Sequence, residues 1–222
     1  MSSIINTVDR NNLVSLLENK NQNEPNPEMI SFANKIPPLE HVEDLKYIDE
    51  LFYSYFISDK NTKKFACTSA EIFVRRTYSG CSDIGLAIAP ILRIKGIPTI
   101  YIESAQIEWI IDVQENNEKK EFMRGHIFLE VYINSKWYLY DPTFHLVYDG
   151  YNYDNFCLPR NFYVFAKALN CHEFNVYSVS DEKKVGMGVL NNFDTSEYKE
   201  PNYEVINLKS LYFDENKNRI IK

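Results

Sequence analysis

The stretch His126-Ile127-Phe128-Leu129-Glu130-Val131-Tyr132-Ile133, followed by Asn134-Ser135 and then Lys136-Trp137-Tyr138-Leu139-Tyr140-Asp141, decides the fold. Residues 126, 128, 130 and 132 alternate with the apolar set Ile127, Leu129, Val131 and Ile133. That strict period of two predicts a strand with one face on a core. Lys136–Asp141 is rich in aromatics and only two residues away, which predicts an antiparallel hairpin. With a two-residue loop, Asp141 falls opposite Phe128, on the face that carries His126. His126 and Asp141 are then diagonal neighbours, about 7–8 Å apart by Cα and within side-chain reach. A one-residue slip would send Asp141 to the other face.

Upstream, Ser79-Gly80-Cys81-Ser82-Asp83 precedes apolar residues at helical spacing, namely Ile84, Gly85, Ile88, Ile91 and Leu92. Cys81 is therefore expected in the first turn of a helix, where the dipole and unpaired N–H groups favour thiolate and can hold an oxyanion. Pro90, nine residues on, is expected to bend that helix or end it near Ala89. Thiol, imidazole and carboxylate in this order are the parts of an activated nucleophile.

These segments resemble the transglutaminase-like superfamily: a Gly-x-Cys helix start, a His-x-x-x-Glu-Val strand and a Trp-x-x-x-Asp-Pro-Thr strand end. Leu92-Arg93-Ile94-Lys95-Gly96-Ile97-Pro98 is similar to that family's link between the cysteine helix and the next strand. The resemblance covers about residues 65–145. It implies an α+β fold with a papain-like/transglutaminase-like core, the cysteine-bearing helix packed on an antiparallel β-sheet. It also implies Cys81 as nucleophile, His126 as base and Asp141 as the orienting carboxylate. The expected activity is cysteine-dependent hydrolysis of amide or peptide bonds through a thioester acyl-enzyme, as in a peptidase or deamidase. Acyl transfer from protein glutamine to amines is the alternative, and a catalytically inactive interaction module of the same fold is the non-enzymatic one. Arylamine acetyltransferases share the residue order, but Thr77-Tyr78-Ser79-Gly80-Cys81 and Asp141-Pro142-Thr143 fit them less well. Tyr47, Tyr53, Tyr55 and Tyr78 are all available as side-chain oxyanion donors, and the sequence does not choose among them.

The chain has 222 residues, 45% hydrophobic and 25% charged, enough for one core. A single domain over 1–222 is expected, with an N-terminal arm at 1–30, the core at 31–180 and a C-terminal extension at 180–222 packing on it. A net charge of −7 argues against nucleic-acid or anionic-membrane partners, and the family resemblance implies a protein or peptide substrate. The start of the chain has no basic region followed by an apolar block, so a cytoplasmic location is expected. Cys67, Cys81, Cys157 and Cys171 are expected to stay reduced. Adjacent Cys171 and His172 are poorly placed to share a metal, and no cofactor or metal is expected.

Elsewhere, helices are expected over Arg10–Asn19, Leu39–Ile57 and Ala70–Thr77. Lys20–Glu28 and Glu115–Glu121 read as loops, and Ile97–Glu103 and Gln106–Gln114 as strands. Phe162–Leu169 reads as helical, and Ser210–Lys222 as a terminal hairpin. His41, His145 and His172 read as packed or solvated side chains.

Overall fold

A computed structural model describes residues 4–61, 67–115, 123–213 and 216–220. In chain order its elements begin with β1 (Ile5–Asn6), α1 (Pro27–Asn34), α2 (Leu45–Tyr55), β2 (Ile57–Ser58), α3 (Ser69–Arg75) and β3 (Thr77–Tyr78). Next come α4 (Cys81–Ile94), β4 (Thr99–Gln106), α5 (Ile107–Gln114), β5 (Gly125–Ile133), β6 (Lys136–Asp141) and β7 (Leu146–Asp149). The last are β8 (Cys157–Leu158), β9 (Phe162–Ala168), α6 (Val179–Leu190) and β10 (Glu204–Asn207). The fold is α+β. Its main sheet runs β1-β9-β4-β5-β6-β7-β10, with β8 on β9, and is antiparallel except where β1 joins β9. Among the described residues no helix is long and apolar enough to cross a membrane.

The central hairpin has the register expected from the tight turn. Ile133 pairs with Lys136 and Leu129 with Tyr140. Asn134 and Ser135 both take positive φ, 53° and 64°, the turn geometry that matches the twist of the strands. Ile127, Leu129, Val131 and Ile133 face a core that contains α4, with Ile84, Ala87, Ile88 and Ile91 buried there. On the other face Phe128 joins Ile100, Ile102, Leu139 and Val164, with Leu16 of the N-terminal segment buried among them. Glu130, also on that face, is fully buried. It accepts a forked pair from Arg10, together with Lys167 Nζ and Tyr151 Oη, both at 2.7 Å. The N-terminal segment is thus tied to β5 by charge as well as by Leu16.

Helix α4 continues through Pro90 to Ile94 and so does not end near Ala89. Pro90 has no N–H for the Leu86 carbonyl, the usual cost of an interior proline. The Ser69 hydroxyl takes that carbonyl at 2.6 Å, so no buried acceptor is orphaned. The same helix lies very close to β5. A Cβ built on Gly85 would sit 2.5 Å from Ile127 Cγ2 and 3.1 Å from Tyr101. Only a residue without a side chain fits there, one turn beyond Cys81.

Other expectations need correction. Gln106–Gln114 forms α5, in spite of its Ile, Trp and Val content. Ile107 and Ile110 are buried on one side of it, and Gln114 Nε2 donates to the Leu190 and Phe193 carbonyls. Tertiary contacts override β-propensity here. Phe162–Leu169 supplies strand β9, with every residue of the strand buried. A strand covered on both faces loses its alternation and cannot be told from a helix by period. The helix expected over Arg10–Asn19 shrinks to a 3-10 turn at Ser15–Leu17. Pro27–Asn34, partly read as loop, is α1, capped by the Asn26 side chain. Near the C-terminus a bridge joins Phe213 and Arg219, while the tip of the expected hairpin lies outside the described residues. So does most of the expected loop over Glu115–Glu121.

Candidate active site

Cys81 opens α4 behind Gly80, which has no side chain to cap the helix. The first-turn N–H groups therefore stay available to a ligand. The approach is set by Asp83, which is buried and accepts from the Ser79 backbone N–H (2.8 Å), the Ser79 hydroxyl (3.0 Å) and Arg75 (2.5 Å). This carboxylate ties the turn before the cysteine to the helix that follows it. Arg75 Nε adds a bond to the Thr77 carbonyl. Asp83 is the acidic residue expected in a helix first turn, so its presence was readable; its anchoring of Ser79 was not.

On the sheet, His126 and Asp141 come together as the register requires. His126 Nε2 lies 3.0 Å from both Asp141 oxygens, and Asp141 is fully buried. The Phe144 backbone N–H adds a bond to Oδ1 at 3.2 Å. The imidazole is itself 5% exposed, walled by the rings of Phe128, Phe162 and Phe144. With Nε2 engaged, Nδ1 is the nitrogen left for a proton from elsewhere.

Beyond the end of β6 the sheet leaves Ile127 without a ladder partner on that side. Continuing the hairpin ladder would set Ile127 opposite Pro142, one residue past the end of β6. The Pro142 carbonyl is taken by the Tyr53 hydroxyl at 2.8 Å. The Ile127 amide, left without that partner, lies near enough to the Cys81 thiol to favour its ionised form. The nucleophile candidate is thus near the residue next to His126. Among the described residues no hydrogen bond joins the thiol directly to the imidazole.

The electrostatics of the thiol differ from the expectation for a helix start. Cys81 keeps some exposed surface, but its sulfur is enclosed, and burial pushes the thiol up to about 12. Glu103 and, more weakly, Glu182 and Asp141 push the same way, while the Ile127 amide opposes them. Desolvation and three carboxyl groups outweigh the helix dipole. The enclosure of the sulfur thus favours the neutral thiol.

Sequence reasoning missed Glu103, Glu182, Arg160 and Asp49. Glu103, on β4 opposite Ile127, is held well above its usual range by burial and by Glu182. Burial pushes Glu182, on α6, up to about 7. Arg160 Nη2 lies 2.8 Å from Asp141 Oδ2, with its guanidinium 3.7 Å from the Phe144 ring centre. No local pattern marks any of these three, because each meets the site only through long-range pairing. Asp49, fully buried on α2, accepts from Tyr140 Oη (2.9 Å), Tyr212 Oη and His145 Nδ1 (2.7 Å). His145 is thus a paired side chain that stacks on Tyr53 and braces the turn after Asp141. Cys67, Cys81, Cys157 and Cys171 are all free thiols, and no cluster of metal-ligating side chains occurs among the described residues.

The arrangement of sheet and helices can be compared with known proteins. No protein-family model matches the chain, and no curated protein matches it. A solved structure described as a "Putative Cysteine Protease" from Cytophaga hutchinsonii is similar in fold, with a TM-score of 0.52 and 14% identity. The match covers 78% of this chain and 52% of that one, so the chain spans about half the length of its structural neighbour. At that identity the likeness speaks for the fold alone.

Proposed function

We propose that this chain is a cysteine-dependent hydrolase of amide or peptide bonds, built on a transglutaminase-like, papain-like core. Cys81, His126 and Asp141 are its nucleophile, base and orienting carboxylate. The observation that carries the reading is the His126–Asp141 pair. It engages Nε2 and leaves Nδ1 for a proton, on the residue next to Ile127, whose amide acts on the Cys81 thiol. The fold likeness to a protein described as a cysteine protease is in keeping with it.

Because burial favours the neutral thiol, attack runs with proton transfer and not from a standing thiolate. The Cys81 proton passes to His126 Nδ1 as sulfur bonds to the carbonyl carbon. Asp141 stabilises the imidazolium that forms, and the open N–H groups at the start of α4 take the oxyanion. Collapse breaks the C–N bond, with the Nδ1 proton going to the departing amine. Water then enters, gives a proton to His126 and bonds to the thioester carbon. The C–S bond breaks, and the thiol recovers its proton as the acid leaves.

The test is a panel of glutamine carboxamides and unstructured peptides, scored for ammonia or new amino termini, with and without an added primary amine. Release in water that disappears in Cys81→Ala supports the hydrolase. Release that requires the amine makes the chain an acyltransferase, and no release with either acceptor refutes the enzyme reading.

A further inference from the structure

Besides His126, Asp141 has a guanidinium as neighbour, that of Arg160. Arg160 stands in a turn where it and Asn161 both adopt positive φ, 63° and 62°, immediately before β9. The Arg160 backbone N–H donates to Glu200 Oε1 at 2.6 Å, which fixes the turn. From there the side chain crosses the Phe144 ring and reaches Asp141 Oδ2 at 2.8 Å, the oxygen that also faces His126 Nε2 at 3.0 Å. Its Nη2 makes no aligned hydrogen bond, so the contact is one of charge. The side chain keeps 28% of its surface in solvent, whereas the carboxylate has none.

We propose that Arg160 is a positioning residue: it pins the buried Asp141 carboxylate against His126 and, by sharing its charge, keeps the imidazole less basic than a His–Asp pair alone would make it. The inference rests on the hydrolase reading for its meaning, since a weaker base returns its proton to the leaving amine more readily. It is physically separate from that reading. A lone buried carboxylate beside imidazole favours imidazolium. A guanidinium on the same carboxylate repels it.

The other groups around the pair do not supply that positive charge. Cys81 on α4, Tyr53 on α2 and Tyr148 on β7 interact with Asp141, while Glu103 on β4 and Glu182 on α6 act on Cys81; none of them is cationic. Glu200 bonds the Arg160 backbone and partly offsets its charge. Burial on this side is completed by Phe144, Phe162 and Phe128, whose ring centres lie 3.7, 5.6 and 5.8 Å from the guanidinium carbon. Arg160 and Phe144 together close the outer side of the His126–Asp141 bond.

The test needs no substrate. The His126 ring resonances are followed by NMR against pH in the full chain, assigned by their loss in His126→Gln. The series is then repeated in R160Q, R160M and R160K, each checked by its amide spectrum. In R160Q the His126 midpoint should rise by about one pH unit. R160M, which keeps an apolar stem against Phe144, should move it the same way if R160Q does not fold. R160K should stay with wild type. A residue that only fills space would leave all the midpoints together. An unmoved or lowered midpoint in the neutral variants, or an equal rise in R160K, overturns the proposal. The same titration in Cys81→Ala separates it from the hydrolase reading, because a chain without turnover still reports its imidazole.

Discussion

Gly85→Ala is the substitution through which the packing of α4 on β5 can be weighed against helix propensity. In an exposed helix the change stabilises by about 1 kcal/mol, because alanine gives up less backbone freedom on folding. At Gly85 the new Cβ would meet Ile127 Cγ2 at 2.5 Å and Tyr101 at 3.1 Å. Ordinary carbon contacts lie at about 3.5–4.0 Å, so helix and strand must part by roughly 1 Å. Ile127 and Tyr101 are buried in paired strands and cannot swing away. Overpacking costs about 1–3 kcal/mol, and a contact this short on a paired strand belongs in the upper half, about 2–3 kcal/mol; set against the gain of about 1 kcal/mol, the net effect should be a loss of about 1–2 kcal/mol. For a chain of this size that lowers Tm by about 2–8 °C. Gly188→Ala is the matched control. It lies in α6 with nothing within 4 Å of the built Cβ, and it should stabilise by up to about 1 kcal/mol. Urea unfolding of both variants gives the comparison, and Gly85→Ala should also slow any reaction at Cys81, which opens the helix that the new Cβ would push away from Ile127. If Gly85→Ala is as stable as wild type, the close approach of α4 to β5 is not what fixes the thiol.

Two further outcomes follow from burial at the site. Alkylation of Cys81 by iodoacetamide should be slow near neutral pH and still rising above pH 9, since the folded protein holds the thiol at about 12; mass mapping that shows a plateau near pH 7 would contradict the enclosed-sulfur geometry. Glu182, raised from 4.5 to about 7, holds its proton more tightly folded than unfolded. Its contribution is therefore fully present below pH 4.5 and is lost as pH rises through 7. Chemical denaturation of Glu182→Gln should show that fall reduced, and an unchanged pH dependence would refute it.

The parts of the site that were legible in the sequence are those written in local periodicity and a short turn. Ile127 to Ile133 alternate because one face lies on α4, and Asn134-Ser135 fixes the register that brings Asp141 to His126. The helix start at Cys81 was legible for the same reason. What stayed hidden depends on residues far apart in the chain. Pro90 is tolerated because of Ser69, Asp141 is shared with Arg160, and Cys81 faces Glu103 and Glu182. The helix dipole at Cys81 could be read from the sequence, but the burial that overrides it could not. Strand β9 was misread because burial on both faces removes the alternation that identifies an edge or half-covered strand.

The central claim is that His126, oriented by Asp141, activates Cys81. The most direct measurement is the rate of adduct formation with a peptidyl vinyl sulfone, followed by intact mass and peptide mapping in wild type, His126→Ala and Asp141→Asn. Sulfur adds to the vinyl carbon, and the proton that completes the addition comes from the imidazole, so the rate reports the pair and not the thiol alone. The account predicts a single adduct on Cys81, slowed about 100-fold or more in His126→Ala and less in Asp141→Asn. An adduct on Cys67, Cys157 or Cys171 in its place, or a Cys81 rate that His126→Ala leaves unchanged, would contradict it.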